Sequence, residues 1–143
     1  MDTEQFDGLL VYGAYGPPSQ ANLRYIANYT DQIQAYCVFP KNGDPTLLTS
    51  LFPHLFTGRE VSVVKDMRAV GAGMGEKVVE VLREKGLESA RLGVVGADSR
   101  WKISIPFAHH AQFEASLPRA EFTPATDLLE QVRLIKSDEE MAF

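Results

Sequence analysis

Met74-Gly75-Glu76-Lys77-Val78-Val79-Glu80-Val81-Leu82-Arg83-Glu84-Lys85-Gly86-Leu87 is the stretch that decides the fold. Met74, Val78, Val81 and Leu82 recur at i, i+4, i+7 and i+8, which puts them on one face of an α-helix. Glu76, Glu80, Arg83 and Glu84 take the other face. Gly86 supplies a left-handed end and Leu87 the hydrophobic residue beyond it. Arg91-Leu92-Gly93-Val94-Val95 follows as a strand, and the β-branched run Glu60–Lys65 upstream reads as another. Strand, helix, strand is a crossover unit, so Glu60–Lys65 and Arg91–Val95 are expected as parallel neighbours with a right-handed connection.

Outward from this unit, Asp7–Tyr12 is a short apolar run closed by Gly13 and the turn cluster Gly16-Pro17-Pro18, which reads as a buried strand. Ser19 can cap a helix reaching Ala27, with Asn28 at its end and Leu23, Ile26 and Ala27 on its inner face. Ala35–Phe39 is a second strand. Asn42-Gly43-Asp44-Pro45 is a tight turn, so Thr46–Ser50 should return antiparallel. Pro106–Ser116 reads as a helix and Ala120–Phe122 as a short strand. Thr123 and Pro124 open another helix, as cap and first residue, with Leu128, Val132 and Ile135 on one face. Hairpin plus crossover predicts an α/β domain with a mixed sheet.

The 143 residues are 45% hydrophobic and 23% charged, the balance of one soluble globular domain with its own core. A net charge of −5 argues against a nucleic-acid footprint and against docking on anionic membranes. No stretch approaches the ~20 apolar residues of a membrane span, and no basic leader precedes the first strand; a cytoplasmic protein is expected. The single cysteine, Cys37, excludes a disulfide framework and a multi-thiolate zinc site. In its apolar run it reads as a buried small hydrophobe.

Candidate chemistry is sparse. Gly71-Ala72-Gly73-Met74-Gly75 precedes the strong helix, but its spacing is G-x-G-x-G rather than G-x-G-x-x-G, and it is set apart from the expected strand. The residues between the expected strand and Gly71 are the five from Asp66 to Val70, and the glycine run reads as a helix lead-in. His109 and His110 are adjacent on a helix and point about 100° apart. His110 and Glu114 are paired at i, i+4, yet a zinc site needs three or four protein ligands. No G-x-S-x-G elbow is present. Hence no catalytic residue and no metal ligand set is assigned within the chain. Tyr25, Tyr29 and Tyr36, with Arg24 and Asp31, carry more polar tips than a core needs. Packing of the helix end and lining of a substrate entrance are both open to them.

Ser137-Asp138-Glu139-Glu140 is an S-x-x-E capping box with acids in the first turn. Only Met141, Ala142 and Phe143 follow. Helices shorter than ~12–15 residues are marginal alone, so the chain is expected to be a piece of a longer protein.

Asp7-Gly8-Leu9-Leu10-Val11, then Asn22-Leu23-Arg24-Tyr25-Ile26 and Tyr29, resemble the opening of the creatinase/prolidase N-terminal domain. Arg133-Leu134-Ile135-Lys136-Ser137-Asp138-Glu139-Glu140 is similar to that family's linker signature R-x-x-K-[ST]-x-x-E. The family's T-G-F turn is replaced by Ala27-Asn28-Tyr29. The resemblance implies a mixed sheet of about six strands with helices on both faces, of ribonuclease H-like topology. It also implies a non-catalytic domain over residues 1–136 that helps form a homodimer and lends loops to the partner subunit's active-site entrance, and makes Asn22, Arg24, Tyr25 and Tyr29 the candidate entrance residues. Residues 137–143 would start a catalytic pita-bread domain holding two divalent ions (manganese, cobalt or zinc) on two Asp, one His and two Glu. The whole would resemble an Xaa-Pro aminopeptidase, Xaa-Pro dipeptidase or creatinase, acting on a peptide or small molecule. The competing expectation is a free-standing α/β module that binds a small ligand or a protein partner.

Overall fold

A computed structural model of the chain describes residues 5–97 and 104–142. Six strands form one sheet: β1 (Gly8–Ala14), β2 (Gln34–Pro40), β3 (Thr46–Thr49), β4 (Asp66–Ala69), β5 (Arg91–Val95) and β6 (Glu121–Pro124). Their order is β4-β3-β2-β1-β5-β6. β2 is antiparallel to β1 and to β3, and the remaining neighbours are parallel. The sheet is therefore mixed, and α/β is the fold class.

Successive side chains on a strand point to opposite faces, and the core divides accordingly. On one face Leu10, Tyr12, Tyr36, Val38, Leu48, Leu92 and Val94 pack with Val78, Val81 and Leu82 of α3 (Met74–Glu84) and Phe113 of α4 (Phe107–Ser116). On the other, Leu9, Val11, Ala35, Cys37, Leu47, Met67 and Val95 pack with Leu23 and Ala27 of α1 (Pro17–Ala27), Leu55 of α2 (Phe52–Val61) and Leu129 of α5 (Thr126–Leu134). Cys37 is fully buried, and burial pushes its thiol up to about 12.

α3 follows its sequence. Met74, Val78, Val81 and Leu82 are buried. Leu87 N–H donates to Leu82 O at 2.8 Å and Gly86 N–H to Arg83 O at 2.9 Å, with Gly86 at φ 69°. These two bonds satisfy carbonyls that the helix end leaves orphaned. Gly75 is buried, and a Cβ there would stand 2.2 Å from Gln112 Oε1. The glycine thus lets α3 approach α4.

Several expectations are corrected. Glu60–Lys65 is not a strand: α2 runs through Val61, and the strand is Asp66–Ala69. That strand pairs β3, and β5 lies between β1 and β6, so the two are not neighbours. The first helix begins at Pro17 behind Gly16, with proline at its first positions, so Ser19 lies inside the helix rather than capping it. Thr123 and Pro124 end β6, and Ala125 precedes α5. Leu129 faces the core, whereas Val132 is 46% and Ile135 79% exposed. Tyr36 and Tyr29 sit on opposite faces of the sheet, so Tyr25, Tyr29 and Tyr36 do not line one site.

The capping box is formed. Ser137 N–H donates to Glu140 Oε2 at 3.0 Å and Glu140 N–H to Ser137 Oγ at 3.2 Å, opening the single turn α6 (Asp138–Met141). Met141 is 71% exposed; Phe143 lies outside the described residues.

Candidate functional site

α1 ends where Asn28 takes the left-handed conformation (φ 49°) and its N–H reaches Arg24 O at 2.9 Å. The turn sends Tyr29 back under the sheet, 4% exposed. Its ring needs Gly58 opposite: a Cβ at Gly58 would stand 2.8 Å from Tyr29 Cε2 and 2.1 Å from Met67 Cε. Two residues on, Asp31 is 1% exposed.

A buried carboxylate must be paired or hydrogen-bonded, and Asp31 is bonded on every side. Ile33 N–H donates to Oδ1 at 2.8 Å. Thr49 Oγ1, at the end of β3, donates to Oδ2. Tyr29 Oη lies 3.0 Å from that same Oδ2 and 2.9 Å from Thr49 Oγ1, so its one proton is shared between them. His54 Nδ1, in the first turn of α2, is 3.2 Å from Oδ2. Gln20 of α1 donates to the Asp31 backbone carbonyl at 2.7 Å. Burial alone would raise the Asp31 pKa; the bonds from Thr49, Ile33, His54 and Tyr29 outweigh it and hold the carboxyl below its ordinary 3.8. Burial pushes the Tyr29 hydroxyl well above its usual range.

The cluster lies at the carboxyl ends of β1 and β3, the end of an open α/β sheet where ligands ordinarily bind. Tyr15 (75% exposed) follows β1, and its N–H donates to Ile33 O at 3.3 Å; Ile33 is 48% exposed. Leu51, just past β3, is 41% exposed. An ionised buried acid, an imidazole and an apolar rim thus share one edge.

The four expected entrance residues are not gathered in one place. Asn22 is buried, and its Oδ1 accepts from Arg133 Nη1 at 2.7 Å, clasping α1 to α5. Tyr29 belongs to the Asp31 cluster. Arg24 and Tyr25 are exposed on α1. Arg24 and Tyr29, with Asn28, Thr30, Thr57 and Val61, line a shallow groove of about 440 Å³ between α1 and α2. His54 was not singled out by sequence: it lies 23 residues from Asp31, a separation that carries no periodic or motif signal. His109 accepts or donates at Tyr36 Oη through Nδ1 at 2.9 Å on the opposite face. His110 Nδ1 is 3.5 Å from Glu114 Oε2.

The family model for the creatinase/prolidase N-terminal domain matches residues 1–135. This chain belongs to that family. No curated protein gives a significant match to the sequence. Among solved structures, the chain is similar to the Xaa-Pro dipeptidase of Bacillus anthracis, with a TM-score of 0.71 and 21% identity, covering 99% of this chain and 35% of that one. It is similar to the X-Pro aminopeptidase of Thermotoga maritima MSB8, with a TM-score of 0.74 and 12% identity over 96% of this chain and 36% of that one. The N-terminal domain of the cytoplasmic peptidase PepQ from Mycobacterium tuberculosis H37Rv matches with a TM-score of 0.67 and 15% identity, covering 92% and 91%. The creatinase/prolidase N-terminal domain described here thus spans little more than a third of the first two relatives and nearly the whole of the third. Its mixed six-stranded sheet is the fold of those structures. Among its described residues no group of three or more His, Cys, Asp or Glu side chains is placed to hold a metal ion. None of its described helices is long and apolar enough to cross a membrane.

Proposed function

We propose that the chain works as the non-catalytic N-terminal domain of a metal-dependent hydrolase of the Xaa-Pro peptidase, prolidase or creatinase type. In that role it takes part in a homodimer and lends surface to the active-site entrance of the partner subunit. The observation that supports this reading is the family match over residues 1–135, in a chain that covers 35% of a relative named as an Xaa-Pro dipeptidase. On this reading the two divalent ions (manganese, cobalt or zinc) belong to the catalytic domain that Ser137–Phe143 begins, and the whole is cytoplasmic. Arg24 and Tyr25, whose tips reach solvent, and the groove over Tyr29 are the entrance surface.

The test compares the 143-residue chain with the protein that joins it to a catalytic domain. Metal-dependent hydrolysis of Xaa-Pro peptides by the longer protein alone, sedimenting as a dimer, is the expected result. A longer protein inert on such peptides, or turnover by the short chain that scales with added metal, overturns the reading.

A further inference from the structure

We propose that His54 presents its Nε2 as a hydrogen-bond acceptor to the backbone N–H of the residue that follows proline in a bound peptide, with Asp31 as the positioning residue that fixes the ring. The inference rests on the peptidase-type reading above and names the atom through which this domain meets the substrate.

The tautomer follows from chemistry. An ionised carboxylate has only lone pairs to offer. Asp31 Oδ2 lies 3.2 Å from His54 Nδ1, so in the neutral ring the proton sits on Nδ1 and Nε2 is left bare. Asp31 cannot turn away to release it: Ile33 N–H, Thr49 Oγ1 and Tyr29 Oη hold the carboxylate from three other positions. The ring is 21% exposed, while the Asp31 side chain is fully buried. Among the described residues Nε2 has no hydrogen-bond partner. An oriented, partly exposed acceptor therefore stands beyond the carboxyl ends of β1 and β3, the end where open α/β sheets ordinarily bind ligands, with Tyr15, Ile33 and Leu51 exposed at the same edge.

The donor it would take is selected by the substrate's own chemistry. Proline has no backbone N–H, so the scissile Xaa-Pro amide offers none. The amino terminus is a cation, better matched by a carboxylate than by an imidazole. The first neutral backbone donor is the N–H of the residue after proline. On the peptidase-type reading, it lies on the side of the peptide that trails out through the entrance. The apolar rim suits the side chains flanking that N–H.

The test uses the protein that joins this domain to the catalytic domain, with the dipeptide alanyl-proline and the tripeptide alanyl-prolyl-alanine as substrates. His54→Asn keeps an N–H where Nδ1–H stood and deletes the outer acceptor. His54→Gln places a carbonyl oxygen near the Nε2 position. For the tripeptide, His54→Asn should lower kcat/KM about tenfold, mostly through KM, the size of one lost hydrogen bond of ordinary strength. His54→Gln should recover most of that loss. Cleavage of the dipeptide, and of a tripeptide N-methylated after proline, should be insensitive to either variant. In the 143-residue chain, imidazole 15N shifts should place the proton of His54 on Nδ1, and Asp31→Asn should abolish that preference. Equal losses on dipeptide and tripeptide, no loss on either, or a proton found on Nε2 would each overturn the inference. So would a protein that cleaves dipeptides and no tripeptide, although this last result leaves the proposed function standing. A protein that cleaves neither overturns both.

Discussion

His54 Nδ1 stands 3.2 Å from Oδ2 of Asp31, and this contact ties the first turn of α2 to the loop that leads into β2. Because the same carboxylate also holds Thr49 at the end of β3 and Tyr29 of its own loop, one side chain joins three separate segments. Replacing it tests how much of the edge depends on it. Asp31→Ala leaves Thr49, Tyr29 and the Ile33 N–H without their acceptor in a buried site, and should cost about 3 kcal/mol in urea unfolding. Asp31→Asn, which keeps an acceptor oxygen, should cost less. A loss below about 0.5 kcal/mol for Asp31→Ala would show that the cluster contributes little to the fold.

Acid should dissolve this cluster. The folded-state pKa of Asp31 is held below its ordinary 3.8, so between the two values the unfolded chain binds more protons than the folded one. Its contribution is then fully present above 3.8 and is lost as the pH falls through the folded value. The difference in stability between the wild type and Asp31→Asn should be constant near neutrality and shrink below pH 4. A gap that widens in acid would contradict the sign. His109 acts in the same direction at higher pH. Burial holds its pKa below 6.5, so its contribution is complete above 6.5 and declines as the pH falls toward the folded value. In an NMR titration its midpoint should lie below 6.5.

Gly58 is the tightest approach on the α2 side of the sheet. An added Cβ meets the flexible end of Met67 at 2.1 Å, but also the Tyr29 ring at 2.8 Å, which is itself fixed by Asp31. Gly58→Ala should therefore destabilise by about 1–3 kcal/mol. A second substitution, Met67→Ala, should not relieve all of it. Thermal unfolding of the two variants checks this, and full rescue would show that Tyr29 is free to move.

Asn22 and Arg133 should behave as a clasp between α1 and α5. A double-mutant cycle on Asn22→Ala and Arg133→Ala should give a coupling of about 1 kcal/mol. Additive effects would mean that the 2.7 Å bond between them contributes nothing.

What the sequence disclosed depended on whether local signals and tertiary packing agreed. α3 was legible because Met74, Val78, Val81 and Leu82 all face the core and Gly86 closes the end as glycine does. α2 was hidden. Phe52 and Phe56, its largest side chains, are 64% and 60% exposed and pack on each other, so its apolar residues do not mark the buried face. Val61, Val63 and Val64 then imitate a strand. The real strand β4 carries Asp66, a residue type that strands generally disfavour, and a second charged residue, Arg68. They tolerate an edge position because Arg68 pairs with Asp66 at 2.8 Å and with Glu84 of α3 at 2.7 Å. The site was half legible. Tyr29 and Asp31 stand two apart after a helix end, but His54 arrives through α2, the element that sequence periodicity could not find.

The central claim is that this chain is the N-terminal domain of a larger hydrolase, and the genomic sequence downstream of Phe143 tests it most directly. The claim predicts a reading frame that continues for about twice the length of this chain, as the 35% coverage of the dipeptidase relative requires. That continuation should carry two Asp, one His and two Glu as metal ligands. A stop codon immediately after Phe143, or a continuation without such a ligand set, would contradict it.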